Sequence, residues 1–241
     1  MNERKTAIVT GASQGIGAAI AKAFVERGFQ VVAAARSMTR SAEVTASERV
    51  ALVDGDIGTA ETAATIVETA VTRFGSIDVL INNAGIFFSK PFTDYTEEDL
   101  RSFVSTNVAG FFRLTQLAIK RMLVQKTGGS IVTISAALAR HPMRQSPAAL
   151  PMLTKGGLEA ATLHLAMEYA KDGIRVNAVA PGASLSPLNR GVADGVMERL
   201  SPMGRPSTVE DIAQAVLYLS AAPTVTGDIL YVDGGAHLGR W

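Results

Sequence analysis

A chain of 241 residues that is 47% hydrophobic and 19% charged can bury one substantial core and is too apolar to be disordered. Lys and Arg number 23 against 22 Asp and Glu, and the resulting charge of +1 offers no electrostatic footprint for a nucleic acid or an anionic membrane. Cysteine is absent, which excludes disulfides, thiolate nucleophiles and thiolate metal sites; His141, His164 and His237 are not spaced as a ligand cluster, so no metal is expected.

The chain opens on polar residues that run straight into a strand, and no later apolar stretch is long enough to span a bilayer. A cytoplasmic location is the expectation. Short runs rich in valine and isoleucine alternate with longer segments of helical period, the rhythm of βαβ units and a parallel sheet. Strands are expected at Thr6–Val9, Gln30–Ala35, Val50–Val53, Val79–Ile81, Ser130–Ile134, Arg175–Val179 and Ile229–Val232. Most are apolar on both faces, as strands covered by helices on each side must be. Helices are expected at about Ile16–Arg27, Ala60–Arg73, Glu97–Val124, Met152–Lys171 and Val209–Ser220.

No linker or repeat divides the chain, so residues 1–241 are expected to form a single α/β domain of the Rossmann type, with seven parallel strands and helices on both faces. Two irregular stretches, Ala136–Leu150 and Gly182–Pro206, follow strand ends, where open α/β sheets place their ligands. The second, a substrate-loop region at about 182–206, contains a possible short helix at Val192–Leu200.

Thr10-Gly11-Ala12-Ser13-Gln14-Gly15-Ile16-Gly17 follows the first strand and opens the first helix. There the glycines let backbone N–H groups approach a diphosphate, and the helix N-terminus adds its partial positive charge. At the end of the second strand, where an acid would accept hydrogen bonds from the ribose of NAD, stand Arg36 and Ser37. An arginine can instead pair with a 2′-phosphate, so NADP(H) is expected over NAD(H).

The Gly11, Gly15, Gly17 spacing resembles that of the short-chain dehydrogenase/reductase family. Further elements follow in the family's order along nearly the whole chain: Asn82-Asn83-Ala84-Gly85, Asn107, Lys155, Pro181-Gly182 and Asp233-Gly234-Gly235. The resemblance implies that Ser13, Gln14 and Ile16 join the glycines around the cofactor. It places Asp56 and Ile57 at the adenine, and Asn83, Ala84 and Gly85 beside the ribose. Pro181, Gly182, Ala183 and Ser186 would lie at the nicotinamide, and Lys155 would hold the nicotinamide ribose. It also implies a homotetramer or homodimer built on the two longest helices. A terminal tryptophan is costly to leave wet, so the run Ala236–Trp241 is expected either to pack on another subunit or to be a frayed tail.

The same resemblance exposes a lesion. The family donates a proton from the tyrosine of a Tyr-x-x-x-Lys motif, whereas this chain reads Pro151-Met152-Leu153-Thr154-Lys155, and none of its four tyrosines has a lysine four residues later. The family's serine falls at Ala136; Ser135 is one residue off, which in a strand aims it to the opposite face. Proline suits a helix's first turn but donates no proton. Three readings stay open on the residues alone. Another group relays the proton, such as His141 or a water held by Asn107 and Lys155; the substrate is imine-like and needs no acid; or the chain binds NADP(H) without turnover as a sensor or assembly subunit. Leu185, Leu188, Val192 and Val196 are expected to give the pocket an apolar side, and Arg140, Arg144 or Arg190 could attract an anionic group. His164, between two leucines, is expected to be a packing or boundary residue.

Overall fold

Valine, isoleucine and alanine, residues that pack well on a pleated surface, dominate β1 (Thr6–Thr10), β2 (Gln30–Ala35), β3 (Val50–Asp54), β4 (Val79–Asn82), β5 (Gly129–Ile134), β6 (Ile174–Pro181) and β7 (Ile229–Val232). In the computed structural model, which describes residues 4–144, 146–187 and 195–239, these strands form one all-parallel sheet in the order β3-β2-β1-β4-β5-β6-β7. Each lies within two residues of its expected bounds.

Alternation along β1 shows how the sheet is covered. Ala7 and Val9 face α1 (Gly15–Glu26) and the last helix, α6 (Val209–Ala221), in a core with Phe24, Ile212 and Val216. Ile8 faces the other way, into a second core with Ile66 of α2 (Ala60–Phe74), Leu114 and Met122 of α4 (Gly110–Gln125), and Ala166 of α5 (Ala149–Tyr169). Period-two side chains on a central strand feed two cores, the layering of a doubly wound Rossmann sheet.

The segment expected as one helix over Glu97–Val124 is instead α3 (Glu97–Phe103), a π-helical stretch at Val104–Ala109, and α4. The capping box of Thr96 and Asp99 starts α3. The helical period of apolar residues runs through the π stretch unbroken, so spacing does not reveal the wider turns there. Such turns concentrate at functional sites, and this one carries Asn107 inward to 2% exposure. α5 starts three residues earlier than expected, which puts Pro151 in its first turn, where an N–H would have no intrahelical partner. Of the short helix expected at Val192–Leu200, only residues 195–200 are described, and they form turns ending in a single 3₁₀ turn, Glu198–Leu200. No described helix is long and apolar enough to cross a membrane.

Candidate active site

The strand order reverses at β1, and the ends of β1 and β4 are tied there by one hydroxyl. Thr10 Oγ1 donates to Ile81 O (3.2 Å) and accepts from Asn83 N (3.1 Å) and Ala84 N (3.0 Å). Asn83 Nδ2 returns two bonds, to Thr10 O at 2.8 Å and Gly11 O at 3.2 Å. The glycines permit this closeness. Gly11 has φ +64°, and a Cβ on Gly17 would lie 2.2 Å from Gly11 O. α1 has no side-chain bond at its N-cap, Gln14, and no acid in its first turn. Backbone N–H groups at its start thus have no cap from Gln14 or from a first-turn acid, the arrangement that receives an anion. One carboxylate from outside the motif reaches this end: Glu43 Oε1 lies 3.4 Å from Gly15 N.

A cavity of about 1120 Å³ opens at this point. Its walls include Gly11, Ser13, Gln14, Gly15, Ile16, Gly17, Arg36, Ser37, Asp56, Ile57, Asn83, Ala84, Gly85, His141, Lys155, Pro181, Gly182, Ala183 and Ser186. Of the residues expected to bind cofactor or exchange the proton, Asn107 alone is not in its wall. Its Nδ2 donates to Ile86 O (3.2 Å) and Thr154 Oγ1 (3.0 Å), and its Oδ1 accepts from Ile86 N (2.9 Å), so the side chain clamps the segment after β4 onto α5. Near the end of β2 Arg36 is exposed, and Ser37 Oγ accepts from a second guanidinium, Arg40, at 2.7 Å. The nearby carboxylate Asp54 is engaged by Thr39 N (2.9 Å) and Oγ1 (2.5 Å), bonds that hold it below the usual carboxylate range.

Lys155 donates to Ile134 O at 2.6 Å, and Gly85 packs close to it, since a Cβ there would lie 3.4 Å from Nζ. Burial pushes its ammonium down to about 8, with the Glu159 carboxylate opposing the shift. Glu159, 1% exposed, accepts from Ser135 Oγ (2.6 Å) and Arg140 Nε (2.6 Å). Arg140 is thereby committed to Glu159 and is not an anion receptor in the cavity wall.

These coordinates resemble many solved structures. The 3-ketoacyl-(acyl-carrier-protein) reductase from Brucella melitensis, complexed with NADH, superposes with a TM-score of 0.91 at 31% identity, covering 98% of this chain and 99% of that one. A short-chain type dehydrogenase/reductase from Mycobacterium marinum gives 0.90 at 30% identity, covering 96% and 95%. The family model described as enoyl-(acyl carrier protein) reductase matches residues 11–237. Among curated relatives, 3beta-hydroxysteroid dehydrogenase 1 from Eggerthella lenta is 36% identical over 97% of this chain and 94% of its own length. This chain is a short-chain dehydrogenase/reductase.

In this dehydrogenase/reductase Pro151 is buried and does not line the cavity, whereas Ala136 does. Among the described residues, no tyrosine lines it. The apolar wall differs in part from the expectation. Val196 contributes, with Met143, Met152, Met197 and Leu200, but Leu185 is exposed and outside it. Arg144 is also absent from the wall, and Leu188, Arg190, Val192 and Trp241 lie outside the described residues. His164 is exposed rather than packed.

Past the end of β7, at the cavity wall, stands a cluster that spacing did not suggest. His141 Nε2 lies 3.2 Å from Tyr231 Oη, Tyr231 stacks on His237 with ring centroids 4.2 Å apart at 15°, and His237 Nδ1 lies 2.9 Å from Asp233 Oδ2. The one available signal was Asp233 and His237, four residues apart just past the last strand.

Proposed function

We propose that this chain is an NADP(H)-dependent oxidoreductase. It transfers hydride to or from a small carbonyl, alcohol or imine-type substrate and exchanges the accompanying proton through a group other than a tyrosine. The observation that carries this reading is the cavity itself. It joins a diphosphate-sized glycine cradle to Lys155 and two histidines, with no tyrosine in the described wall. Pro151 and Ala136 then stand where the family's tyrosine and serine would be.

The cradle fits a dinucleotide. A side chain at Gly11 would collide with Asn83 and Ala84 and one at Gly17 with Gly11 O, and Ser186, which lines the cavity, keeps a buried Oγ with no hydrogen-bond partner among the described residues. The start of α1 would take the diphosphate, Asp56 and Ile57 the adenine, and Asn83, Ala84 and Gly85 the ribose, with Pro181, Gly182 and Ala183 against the nicotinamide. Arg36 and Ser37, joined by Arg40, would hold a 2′-phosphate, which supports NADP(H) over NAD(H). Among structural neighbours the Brucella reductase is complexed with NADH and another, ElxO, has NADP bound, at TM-scores of 0.91 and 0.88.

When bound, the cofactor supplies or accepts hydride at nicotinamide C4. Lys155, anchored on Ile134 O, would orient the ribose; Asn107 acts one shell out by fixing Ile86 and Thr154. His141 and His237 supply proton-exchanging rings in the wall. The mostly apolar lining suits an apolar substrate. The relatives include a 3beta-hydroxysteroid dehydrogenase and a 3alpha-hydroxysteroid dehydrogenase, both named for apolar alcohols.

A cytoplasmic homotetramer or homodimer completes the proposal. Phe112 on α4 and Leu153, Leu163 and Met167 on α5 are exposed large apolar residues, as a subunit interface on these helices requires. Sedimentation reads the subunit number, and a monomer would remove this part.

The activity test is loss of reduced-nicotinamide absorbance from NADPH with a panel of ketones, quinones and cyclic imines. Consumption on one class is the expected result. Tight NADPH binding with no consumption on any class would overturn the enzymatic reading.

A further inference from the structure

Asp233 and His237 are one helical turn apart in sequence and bonded in space, at the carboxyl end of β7 where the cavity lies. The Asp233 carboxylate, 4% exposed, accepts from Gly235 N (3.0 Å), His237 N (2.8 Å) and His237 Nδ1 (2.9 Å). A carboxylate only accepts, so Nδ1 must carry a hydrogen, and Nε2 becomes the ring position free to gain and lose a proton. Tyr231 stacks on one face of the imidazole, and the His141 ring stands edge-on with its centroid 5.6 Å away. His141 in turn spends Nε2 on Tyr231 Oη, which ties the aromatic plate to the loop after β5. The His237 side chain keeps 26% exposure, and it lines the cavity that also contains Lys155 and Ser186.

We infer that Nε2 of His237, oriented by Asp233, is the atom that exchanges the substrate proton, and that Tyr231 and His141 are positioning residues for that ring. This rests on the oxidoreductase reading above. In the reducing direction, hydride arriving from the reduced nicotinamide dinucleotide forms a C–H bond at the carbonyl carbon, and the C=O π pair becomes an oxygen lone pair. An O–H bond forms as the Nε2–H bond of imidazolium breaks. The products are the alcohol, the oxidised dinucleotide and neutral His237, whose Nδ1–H still donates to Asp233, and solvent returns the proton to Nε2. His141 is the weaker candidate because its Nε2 is already bonded.

The titratable groups in contact with the ring are Asp233 and Tyr231 from the end of β7 and His141 from the segment after β5; Tyr231 in turn feels the charges of Glu159 on α5 and Arg140, and Lys155 lines the same cavity. The 195–207 segment approaches the Gly234-Gly235 turn through Ser201 and Pro202.

The test uses the full chain and the panel substrate on which wild type is most active. His237→Gln is expected to lose about 100-fold in kcat, the usual worth of a positioned acid or base. NADPH dissociation should be unchanged, and the descending limb of the reduction pH profile should vanish. His237→Ala should regain rate with added imidazole, which a purely structural histidine would not do. His141→Ala should cost only a few-fold. Independently of turnover, long-range ¹H–¹⁵N spectra of the neutral ring should show His237 protonated on Nδ1 in wild type and a mixture of tautomers in Asp233→Asn. Unchanged kcat in His237→Gln, absence of imidazole rescue, or an Nε2-protonated ring in wild type would each overturn the inference while leaving the oxidoreductase reading intact. A wild type that consumes no NADPH on any substrate would remove both.

Discussion

Glu159 lies one helical turn beyond Lys155 on α5, yet the two face different tasks: Lys155 reaches the cavity, while the Glu159 carboxylate is buried between Ser135 Oγ and Arg140 Nε at 2.6 Å each. The serine that spacing set one residue out of place is thus a structural donor. Ser135 and Arg140 hold the rebuilt segment after β5 onto α5 through this one acid, and that segment presents His141 and Met143 to the cavity.

Glu159→Gln keeps the oxygen that accepts from Ser135 but turns an amide donor toward the Arg140 donor. Because Arg140 is half exposed, the cost falls below that of a fully buried pair, at about 1–3 kcal/mol. Denaturant unfolding should show a lower midpoint with an unchanged slope. Lys155, losing the charge that opposes its shift, should titrate still lower.

Lys155 makes stability depend on pH with a definite sign. Burial lowers its folded value to about 8 from an ordinary 10.5, so between those values the unfolded chain binds more protons and stability rises with pH. The contribution is fully present above 10.5 and is lost as pH falls through 8. The difference in unfolding free energy, wild type minus Lys155→Met, should therefore grow from pH 7.5 to 10.5, by at most about 3 kcal/mol. A flat difference would show that Lys155 is not held in a desolvated site.

Gly17 is a position where no side chain fits. A Cβ would stand 2.2 Å from Gly11 O and 2.5 Å from Asn83 Nδ2, between the two elements that shape the cradle. Gly17→Ala should destabilise by about 2 kcal/mol or more and abolish dinucleotide binding in calorimetry. Retained affinity would show that the cradle does not form around this contact.

Much of this is legible in the sequence. The strands showed because parallel strands are apolar on both faces, and the glycine loop because position after a strand and before a helix gives its spacing meaning. Two kinds of feature were hidden. The π stretch around Asn107 keeps a helical apolar period, so it turned an expected cavity residue into a clamp without leaving a trace in spacing. Contacts between loops far apart in sequence, such as Glu43 at Gly15 N and His141 with Tyr231, depend on how strand ends converge, which no local pattern encodes.

The central claim is that the crevice at the β1–β4 reversal grips a dinucleotide through the start of α1 and recognises its 2′-phosphate through Arg36. Titration calorimetry of wild type and Arg36→Ala with NADPH and with NADH tests it most directly. A charge-assisted contact of about 1.5–3 kcal/mol predicts NADPH tighter than NADH by at least tenfold in wild type, and that ratio cut by about tenfold or more in Arg36→Ala, where Ser37 and Arg40 remain. NADH binding as tightly as NADPH to wild type, or neither binding, would contradict it.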